Sequence, residues 1–355
     1  MKKIFRWHGE NDPVSLDYIA QIPGVEGIVT SLYNLPLGEI WPVDEIRKLM
    51  DEAKKRGLKL EVVDSFRINE DIKLGKPTRD KLIENYCTNI RNLSSCGIKV
   101  ICYTYMPVFN ATRTEMDYEL PDGSRVLRFD MKKIKDAKPS DASRMMPGVG
   151  ESRKAENIRK LVKEYEGITE EDLWRNYEYF LKRIIPVAES VGVKMAVHPD
   201  DPPYSVFGLP RILKNREDLR RLSQLIDSPS NTFTLCVGSL GEDPNNDVPE
   251  IIREFVPKGK IAFVHFRNIK LEEDGSFYES GHFTEDGSID MGEVMKALYD
   301  CNYKGYIRPD HGRGIWGEYG GNPGYGLFDR ALGVAYINGL WEGIAKASKI
   351  QMKHS

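Results

Sequence analysis

Cysteine is scarce in this sequence and follows no pairing pattern. The 355 residues include five cysteines, an odd number, and none of them forms a C-x-x-C pair or a zinc-finger spacing. A disulfide framework is therefore not expected, and the reducing cytoplasm is the predicted location. The five are Cys87, Cys96, Cys102, Cys236 and Cys301.

Long apolar runs and an excess of one charge are also missing. Nowhere do about eighteen apolar residues follow one another, the length that a membrane span needs. The opening MKKIFRWHGEND turns polar too early for a secretion signal. Lys and Arg number 51 against 54 Asp and Glu, a formal net charge of −3. This balance predicts no nucleic-acid or membrane partner, whereas local cations or a metal ion still suit a small anionic substrate.

Several common catalytic motifs are absent. The sequence has no P-loop, no G-x-G-x-x-G, no H-E-x-x-H and no G-x-S-x-G. The segment GGNPGYG at 320–326 resembles a phosphate loop in composition only, because no strand leads into it at the required spacing. A turn that shapes a substrate site is the better interpretation.

Short β-branched or aromatic runs alternate with longer amphipathic stretches, a pattern typical of parallel βα units. Helices are predicted near 16–22, 43–56, 78–96, 170–191, 216–226, 247–255, 291–301 and 328–349. Eight strands are predicted at 3–7, 27–31, 59–64, 99–105, 194–198, 232–237, 261–266 and 305–309. Eight such units predict one α/β domain spanning 1–355, a closed (β/α)8 TIM barrel, with a doubly wound open sheet as the structural alternative.

The segment 108–167 interrupts this alternation. It is rich in charge, Met, Pro and Gly and contains no strand-like core segment. Because it follows the fourth strand, it would lie on the active-site face of a barrel. We interpret it as an inserted lid or subdomain, with a decorative or dimer-contact insertion as the alternative of equal weight.

Residues with metal-binding side chains stand where four consecutive strands end. They are His198, Cys236, His265 and Asp310. The carboxyl ends of barrel strands meet at one mouth, so these four groups would face a common centre. Imidazole, thiolate and carboxylate are the usual ligands of a divalent transition metal. Each residue alone is more easily explained as a core or capping group, but four in phase with the strands favour a metal site.

The same segments carry a resemblance to a known family. The chain resembles mannonate dehydratase in AVHPDDPP (196–203), LCVGS (235–239), VHFRN (264–268) and RPDHGR (308–313). The opening FRWHG (5–9) and YTYMPVFN (103–110) agree as well. The resemblance implies a xylose-isomerase-like barrel that removes water from D-mannonate to give 2-keto-3-deoxy-D-gluconate in hexuronate catabolism. It also implies a Mn2+ or Fe2+ cofactor, held by the four strand-end residues.

Dehydration beside a carboxylate needs a general base for the carbon-bound proton and a general acid for the leaving hydroxide. His311 and Tyr325 are the candidates for these two roles, without an assignment of which is which. Arg313 and Arg267 are candidates for holding the substrate carboxylate in a bidentate fork. Asn268, Trp7, His8, Asn110 and Trp316 are weaker candidates for lining the substrate site.

Other interpretations of the barrel remain open on sequence alone. The nearest is a metal-dependent sugar isomerase or epimerase, which typically binds its metal through several carboxylates rather than two His, one Cys and one Asp. A phosphodiesterase or repair endonuclease would want a basic surface, and the charge balance argues against it. A non-catalytic barrel that binds a ligand is a third possibility. A homodimer or homotetramer is expected.

Overall fold

Twelve strands and twelve helices occur in the part of the chain that the computed structural model describes, residues 1–139, 141, 145, 155–318 and 321–354. In chain order they are β1 (Lys2–Arg6), α1 (Leu16–Gln21), β2 (Gly27–Thr30), α2 (Val43–Lys54), β3 (Lys59–Arg67), α3 (Glu70–Lys73), α4 (Arg79–Ser95), β4 (Val100–Thr104), β5 (Glu115–Glu119), β6 (Arg125–Phe129), α5 (Met131–Asp136), α6 (Ala155–Glu164), α7 (Glu170–Ser190), β7 (Lys194–His198), α8 (Arg216–Leu225), β8 (Asn231–Cys236), α9 (Val237–Gly241), α10 (Val248–Phe255), β9 (Ile261–Phe266), β10 (Ile269–Leu271), β11 (Phe277–Glu279), α11 (Met291–Asp300), β12 (Tyr306–Pro309) and α12 (Phe328–His354).

Eight of the strands close into a barrel in which every neighbouring pair is parallel. Their order round the barrel is β1-β2-β3-β4-β7-β8-β9-β12, and β12 pairs with β1. These are the eight predicted strands, so the predicted (β/α)8 barrel is confirmed. The largest difference in bounds is at β3, which continues beyond the predicted Asp64 to Arg67.

Two apolar layers hold the barrel together. The larger layer lies between the strands and the surrounding helices, and buried side chains of both kinds of element form it. A smaller cluster joins side chains of seven barrel strands, among them Val62, Cys102 and Phe263. Alternate strand residues face opposite sides of the sheet, which is why one strand supplies both layers.

Local chemistry at the helix ends agrees with the chain order. Thr169 and Asp172 form a reciprocal capping box at the start of α7. Gly57, Gly97 and Gly192 follow helices with φ of +74°, +93° and +68°, a left-handed conformation that glycine adopts without steric cost. Each of these glycines ends one helix, and the next barrel strand begins a few residues later.

A second sheet departs from the prediction. The absence of strands that we predicted for 108–167 is wrong, because β5 and β6 form an antiparallel hairpin there. Strand β6 pairs with β11, and β11 pairs with β10. The order β10-β11-β6-β5 thus joins the segment after β4 to the segment after β9. Residues 140, 142–144 and 146–154 of the predicted insertion lie outside the described residues.

The second sheet has an apolar centre of its own. Phe129 and Phe277 are register partners and their rings stack at 5.4 Å between centroids. Tyr204, from the loop after β7, meets Phe129 edge to face. Because β10 begins three residues after β9 ends, the sheet lies at the carboxyl ends of the barrel strands. None of the described helices is long and apolar enough to cross a membrane.

Candidate active site

Three of the predicted metal ligands converge at the carboxyl ends of adjacent strands. His198 ends β7, Cys236 ends β8, and His265 is the second-last residue of β9. One ligand atom from each of the three lies within 4.8 Å of the others. Cys236 and His265 are register partners across β8 and β9. The donors are therefore brought together by strand pairing, and not by flexible loops.

Asp310, which follows β12 directly, approaches the same point. Its Oδ2 lies 3.4 Å from Nδ1 of His265 and 3.9 Å from Sγ of Cys236. Donor atoms of a tetrahedral metal site are roughly 3.4–3.8 Å apart, given metal–ligand bonds of about 2.1–2.3 Å. These two distances, and the chemistry of the four groups, thus suit a divalent transition metal.

A hydrogen bond to one ring nitrogen of His198 leaves the other nitrogen free to bind a metal. Its Nδ1 lies 2.7 Å from the carbonyl oxygen of Pro199, so Nδ1 carries the proton and donates it to that oxygen. Burial lowers the pKa of His198, which favours the neutral ring. A neutral imidazole with its second nitrogen hydrogen-bonded to a carbonyl is the usual arrangement of a metal-binding histidine.

Asp64 is an acidic group of the site that the sequence analysis did not select. Its Oδ2 lies 2.9 Å from Arg6, 3.1 Å from Arg308 and 3.5 Å from Nε2 of His265. Burial alone would raise the pKa of Asp64, but the charges of Arg6 and Arg308 outweigh it and hold the pKa well below its usual value. Asp64 was identifiable by its position, because the predicted third strand ended at this residue.

Asp64, Cys102 and His265 form a second group of metal-ligand type. Burial raises the pKa of the Cys102 thiol well above its usual value, and Thr234 donates a hydrogen bond to its sulfur. This group therefore fits a cation less well than His198, Cys236, His265 and Asp310 do.

The two predicted proton-transfer residues are in direct contact. Nε2 of His311 lies 2.9 Å from the hydroxyl oxygen of Tyr325, and that oxygen lies 3.4 Å from Oδ1 of Asp310. Burial, with the charge of Asp310, raises the pKa of Tyr325. The phenol thus keeps its proton at neutral pH.

A buried cluster of two arginines and three acids adjoins His311. Arg267 reaches Asp201 at 3.0 Å, Glu242 at 2.9 Å and Glu279 at 3.0 Å. Arg113, from the segment after β4, reaches Asp201 at 2.5 Å and Glu279 at 2.6 Å. All five side chains are almost completely buried. Only Arg267 was predicted from the sequence. Asp201 and Glu242 stand just beyond the ends of β7 and β8, whereas Arg113 and Glu279 come from the segments that form the second sheet.

A cavity of about 210 Å3 opens onto these groups, enough for a small sugar acid. The catalytic candidates His311 and Tyr325 line it, and so do His198, His265 and Asp310. Of the predicted substrate-binding residues, His8, Asn110 and Arg267 line it too. Asp64, Arg6 and Arg308 are lining residues that the sequence analysis did not select.

His8 presents an uncharged ring to this cavity. Burial and the nearby charges of Arg6, Arg330 and Arg308 lower its pKa to about 2. Its ring meets Tyr325 edge to face at 4.6 Å between centroids. Its buried Nε2 has no hydrogen-bond partner among the described residues, which makes His8 a suitable contact for a substrate hydroxyl.

The other four predicted substrate-binding residues do not line this cavity. Arg313 is paired with Asp329 and reaches Asp122. The side chain of Asn268 bonds the backbone around Phe283 and Ile289. Trp7 is buried in the apolar layer outside the strands, and Trp316 is 74% exposed against Phe328.

Comparison with known proteins places the chain in one family. A family model described as D-mannonate dehydratase (UxuA) matches residues 1–351. A mannonate dehydratase of Streptococcus uberis is 53% identical over 349 residues, which are 98% of this chain and all of that protein. The crystal structure of mannonate dehydratase from Streptococcus suis serotype 2 has a TM-score of 0.91 at 46% identity and covers 98% of this chain and 96% of its own.

More distant structures share the barrel alone. A xylose isomerase-like TIM barrel protein from Mycobacterium smegmatis has a TM-score of 0.52 at 11% identity, over 92% of this chain and 87% of its own. This likeness confirms the predicted xylose-isomerase-like fold and gives the isomerase alternative no further support. Sequence identity over the full length decides between the two: the chain belongs to the D-mannonate dehydratase family.

Proposed function

We propose that this site removes water from D-mannonate to give 2-keto-3-deoxy-D-gluconate. The main supporting observation is the contact between His311 and Tyr325, which lies beside the cluster of His198, Cys236, His265 and Asp310. In this reaction the C2–H and C3–O bonds break, hydroxide leaves as water, and the resulting enol becomes the 2-keto acid. The proton leaves C2 and the hydroxide leaves the adjacent C3, so a proton acceptor and a proton donor that lie side by side suit this reaction.

His198, Cys236, His265 and Asp310 would hold the metal, which we propose to be Mn2+ or Fe2+. The metal would supply Lewis-acid stabilisation of the negative charge that develops on the substrate carboxylate. The thiolate and two imidazoles suit Zn2+ or Fe2+ on grounds of ligand softness, whereas Mn2+ prefers oxygen ligands and is proposed from the family resemblance. The buried, paired Asp64 would support His265 from its other side.

The two proton-transfer roles follow from the surroundings of each group. Tyr325 keeps its proton because burial raises its pKa, so it is the general acid that protonates the leaving hydroxide. His311 has an ionised carboxylate, Glu279, 3.1 Å behind its Nδ1, and this charge stabilises the ring when it takes a proton. His311 is therefore the general base for the C2 proton.

Three residues that line the cavity are proposed substrate contacts. His8 and Asn110 would bond substrate hydroxyls, and Arg267 would add positive charge on the side of His311. Three acids already surround Arg267, so its charge is largely balanced. Arg313, Asn268, Trp7 and Trp316 stay predictions without support from their positions.

The insertion at 108–167 would act as a cover of the site. Support comes from Arg113, which lies in it and bonds Asp201 and Glu279 next to His311. A cover of this kind excludes water from the reacting groups. The rest of 1–355 would then be the single barrel domain that carries the chemistry.

The cellular setting is proposed from the same reaction. A dehydratase acting on D-mannonate would serve hexuronate catabolism in the cytoplasm, and the five cysteines are free, as a reducing compartment requires. The expected homodimer or homotetramer stays a prediction, which light scattering on the purified protein tests.

A coupled assay for 2-keto-3-deoxy-D-gluconate tests the proposed reaction. Protein stripped with a chelator is given Mn2+, Fe2+ or Zn2+ and then D-mannonate, with aldoses as control substrates. Turnover that returns only with metal, and only on the aldonate, supports both the reaction and the cofactor. Folded, metal-loaded protein that leaves D-mannonate untouched would refute the proposal.

A further inference from the structure

We propose that Glu279 is a positioning residue for His311: its carboxylate accepts the Nδ1 proton of the imidazole, which leaves the Nε2 lone pair facing Tyr325 and the cavity. The inference rests on the proposed function, in which His311 is the general base. It assigns a direct part in that chemistry to the second sheet, since Glu279 is the last residue of β11.

Two distances, one at each ring nitrogen of His311, support the proposal. Oε1 of Glu279 lies 3.1 Å from Nδ1 of His311, and Nε2 of His311 lies 2.9 Å from the hydroxyl of Tyr325. An ionised carboxylate can only accept a hydrogen bond, so Nδ1 must be the donor. The neutral ring then has its proton on Nδ1, and Nε2 is left as an acceptor that faces the hydroxyl of Tyr325.

Two arginines hold Glu279 ionised and fixed. Arg113 reaches Oε1 through Nε and through a terminal nitrogen, at 3.1 and 2.6 Å, and Arg267 reaches it at 3.0 Å. Burial works in the opposite direction, but the charges of Arg267 and Arg113, with the hydrogen bond from His311, outweigh it and lower the pKa of Glu279 to about 2. The carboxylate is therefore an acceptor throughout the neutral pH range.

A competing contact favours the other tautomer and has to be weighed. A terminal nitrogen of Arg267 lies 3.4 Å from Nδ1 of His311, and it would need Nδ1 as an acceptor. The contact with Glu279 is 0.3 Å shorter, and its acceptor carries a full charge, which strengthens the hydrogen bond. The same nitrogen of Arg267 already bonds Glu279, so the Nδ1–H form leaves both groups satisfied.

Glu242 offers a matched control for Glu279. It is equally buried, and its Oε1 accepts from the same two arginines, at 2.9 Å from Arg267 and 3.4 Å from Arg113. The contacts described for its carboxylate are with these arginines and do not include His311. Burial raises the pKa of Glu242 well above its usual value, so Glu242→Gln alters the hydrogen bonds of the arginine cluster more than its charge, and it leaves the proposed base untouched.

The first test compares turnover of metal-loaded protein on D-mannonate. Glu279→Gln replaces the acceptor with an amide that can donate to Nδ1, and we expect kcat to fall about 100-fold or more. The KM and the Mn2+ content should stay near those of the wild-type protein. Glu279→Asp keeps the acceptor and its charge, so it should keep most of the kcat that Glu279→Gln loses. Glu242→Gln should stay within about threefold of wild type.

The second test reads the tautomer itself and needs no turnover. Long-range 1H–15N spectra of histidine-labelled protein, loaded with diamagnetic Zn2+, distinguish Nδ1–H from Nε2–H, and His311→Asn assigns the signals. We expect Nδ1–H in wild type and Glu279→Asp, and a shift towards Nε2–H in Glu279→Gln. If D-mannonate proved not to be a substrate, this measurement would still decide the role of Glu279.

Either of two results would overturn the inference. One is an Nε2–H tautomer in the wild-type protein, a result that no unfolded variant can obscure. The other is a Glu279→Gln variant whose kcat matches that of Glu242→Gln, because the contact with His311 would then add nothing to the effect on the arginine cluster.

Discussion

His311 and Tyr325 meet edge to face, with ring centroids 4.7 Å apart and Nε2 of the imidazole 2.9 Å from the phenol oxygen. His8 meets the same phenol ring from another direction at 4.6 Å. The position of the Tyr325 hydroxyl is thus defined by two rings and by Asp310, 3.4 Å away. A group that is held on several sides is already oriented for the reaction, so little entropy is lost in reaching the transition state.

Removal of either proton-transfer group should slow turnover and leave the metal bound. We expect His311→Asn and Tyr325→Phe each to lower kcat by about 10²–10⁴. Since the two act as a pair, the double variant should lose less than the product of the single losses. Steady-state kinetics and metal analysis of the same preparations measure both effects. Near-normal turnover in either single variant would show that the replaced residue takes no part in proton transfer.

Replacement of the proposed thiolate ligand should lower metal occupancy. Cys236→Ser puts a hydroxyl, a weaker ligand for a transition metal, within reach of His265. Metal content after dialysis should fall well below that of the wild-type protein. Cys87→Ser is the control, because Cys87 lies on α4 and its sulfur faces the backbone of α7. Full occupancy in the Cys236 variant would take this residue out of the metal site.

A side chain at Gly238 should displace Arg267. A Cβ atom built there would lie 2.2 Å from Nε of Arg267, far inside normal contact distance. Gly238→Ala should therefore destabilise the protein by about 1–3 kcal/mol, the usual effect of overpacking in a core, and it should also lower kcat. Urea unfolding measures the stability. Gly339→Ala, at a helical position with no atom within 4 Å of the new Cβ, should be neutral or stabilising.

Glu279 should contribute to stability above pH 4.5 and lose that contribution in acid. Its pKa falls from 4.5 to about 2 on folding, so the unfolded chain binds the proton more tightly. The contribution, roughly 3 kcal/mol at most, is complete above the unfolded pKa and disappears as the pH falls through the folded pKa. Urea midpoints at pH 7 and pH 3 should differ more for wild type than for Glu279→Gln. Equal differences would contradict the assignment.

The barrel was predictable because most of its strands are short apolar runs that alternate with amphipathic helical segments. Sequences such as IAFVHF in β9 and KMAVH in β7 carry a strand pattern without any tertiary contact. The second sheet was not, because EMDYE in β5 is charged and mostly solvent-accessible, and β10 and β11 have only three residues each. Turn signals at Pro121-Asp122-Gly123 and Asp274-Gly275 mark both hairpins and could have found them.

The site was predictable to the extent that its residues stand at strand ends. The four proposed metal ligands share that position. The structure groups His198, Cys236 and His265, and Asp310 lies 3.4 Å from His265 and 3.9 Å from Cys236. Glu279 and Arg113 do not share it. Glu279 reaches His311 and Arg267, and Arg113 reaches Glu279, only because two hairpins, about 150 residues apart in the chain, pair through Phe129 and Phe277. Pairing between distant segments leaves no local pattern in a single sequence.

The shared construction of the second sheet has a consequence for how firmly Glu279 is held. A hinged flap swings on the two chain crossings at its base, whereas this sheet is tied to the barrel by four, two from each hairpin. Lifting it would also separate Arg113 from Asp201 across the buried cluster. Glu279, at the end of β11, is therefore anchored relative to the barrel, and with it the carboxylate oxygen that lies 3.1 Å from Nδ1 of His311.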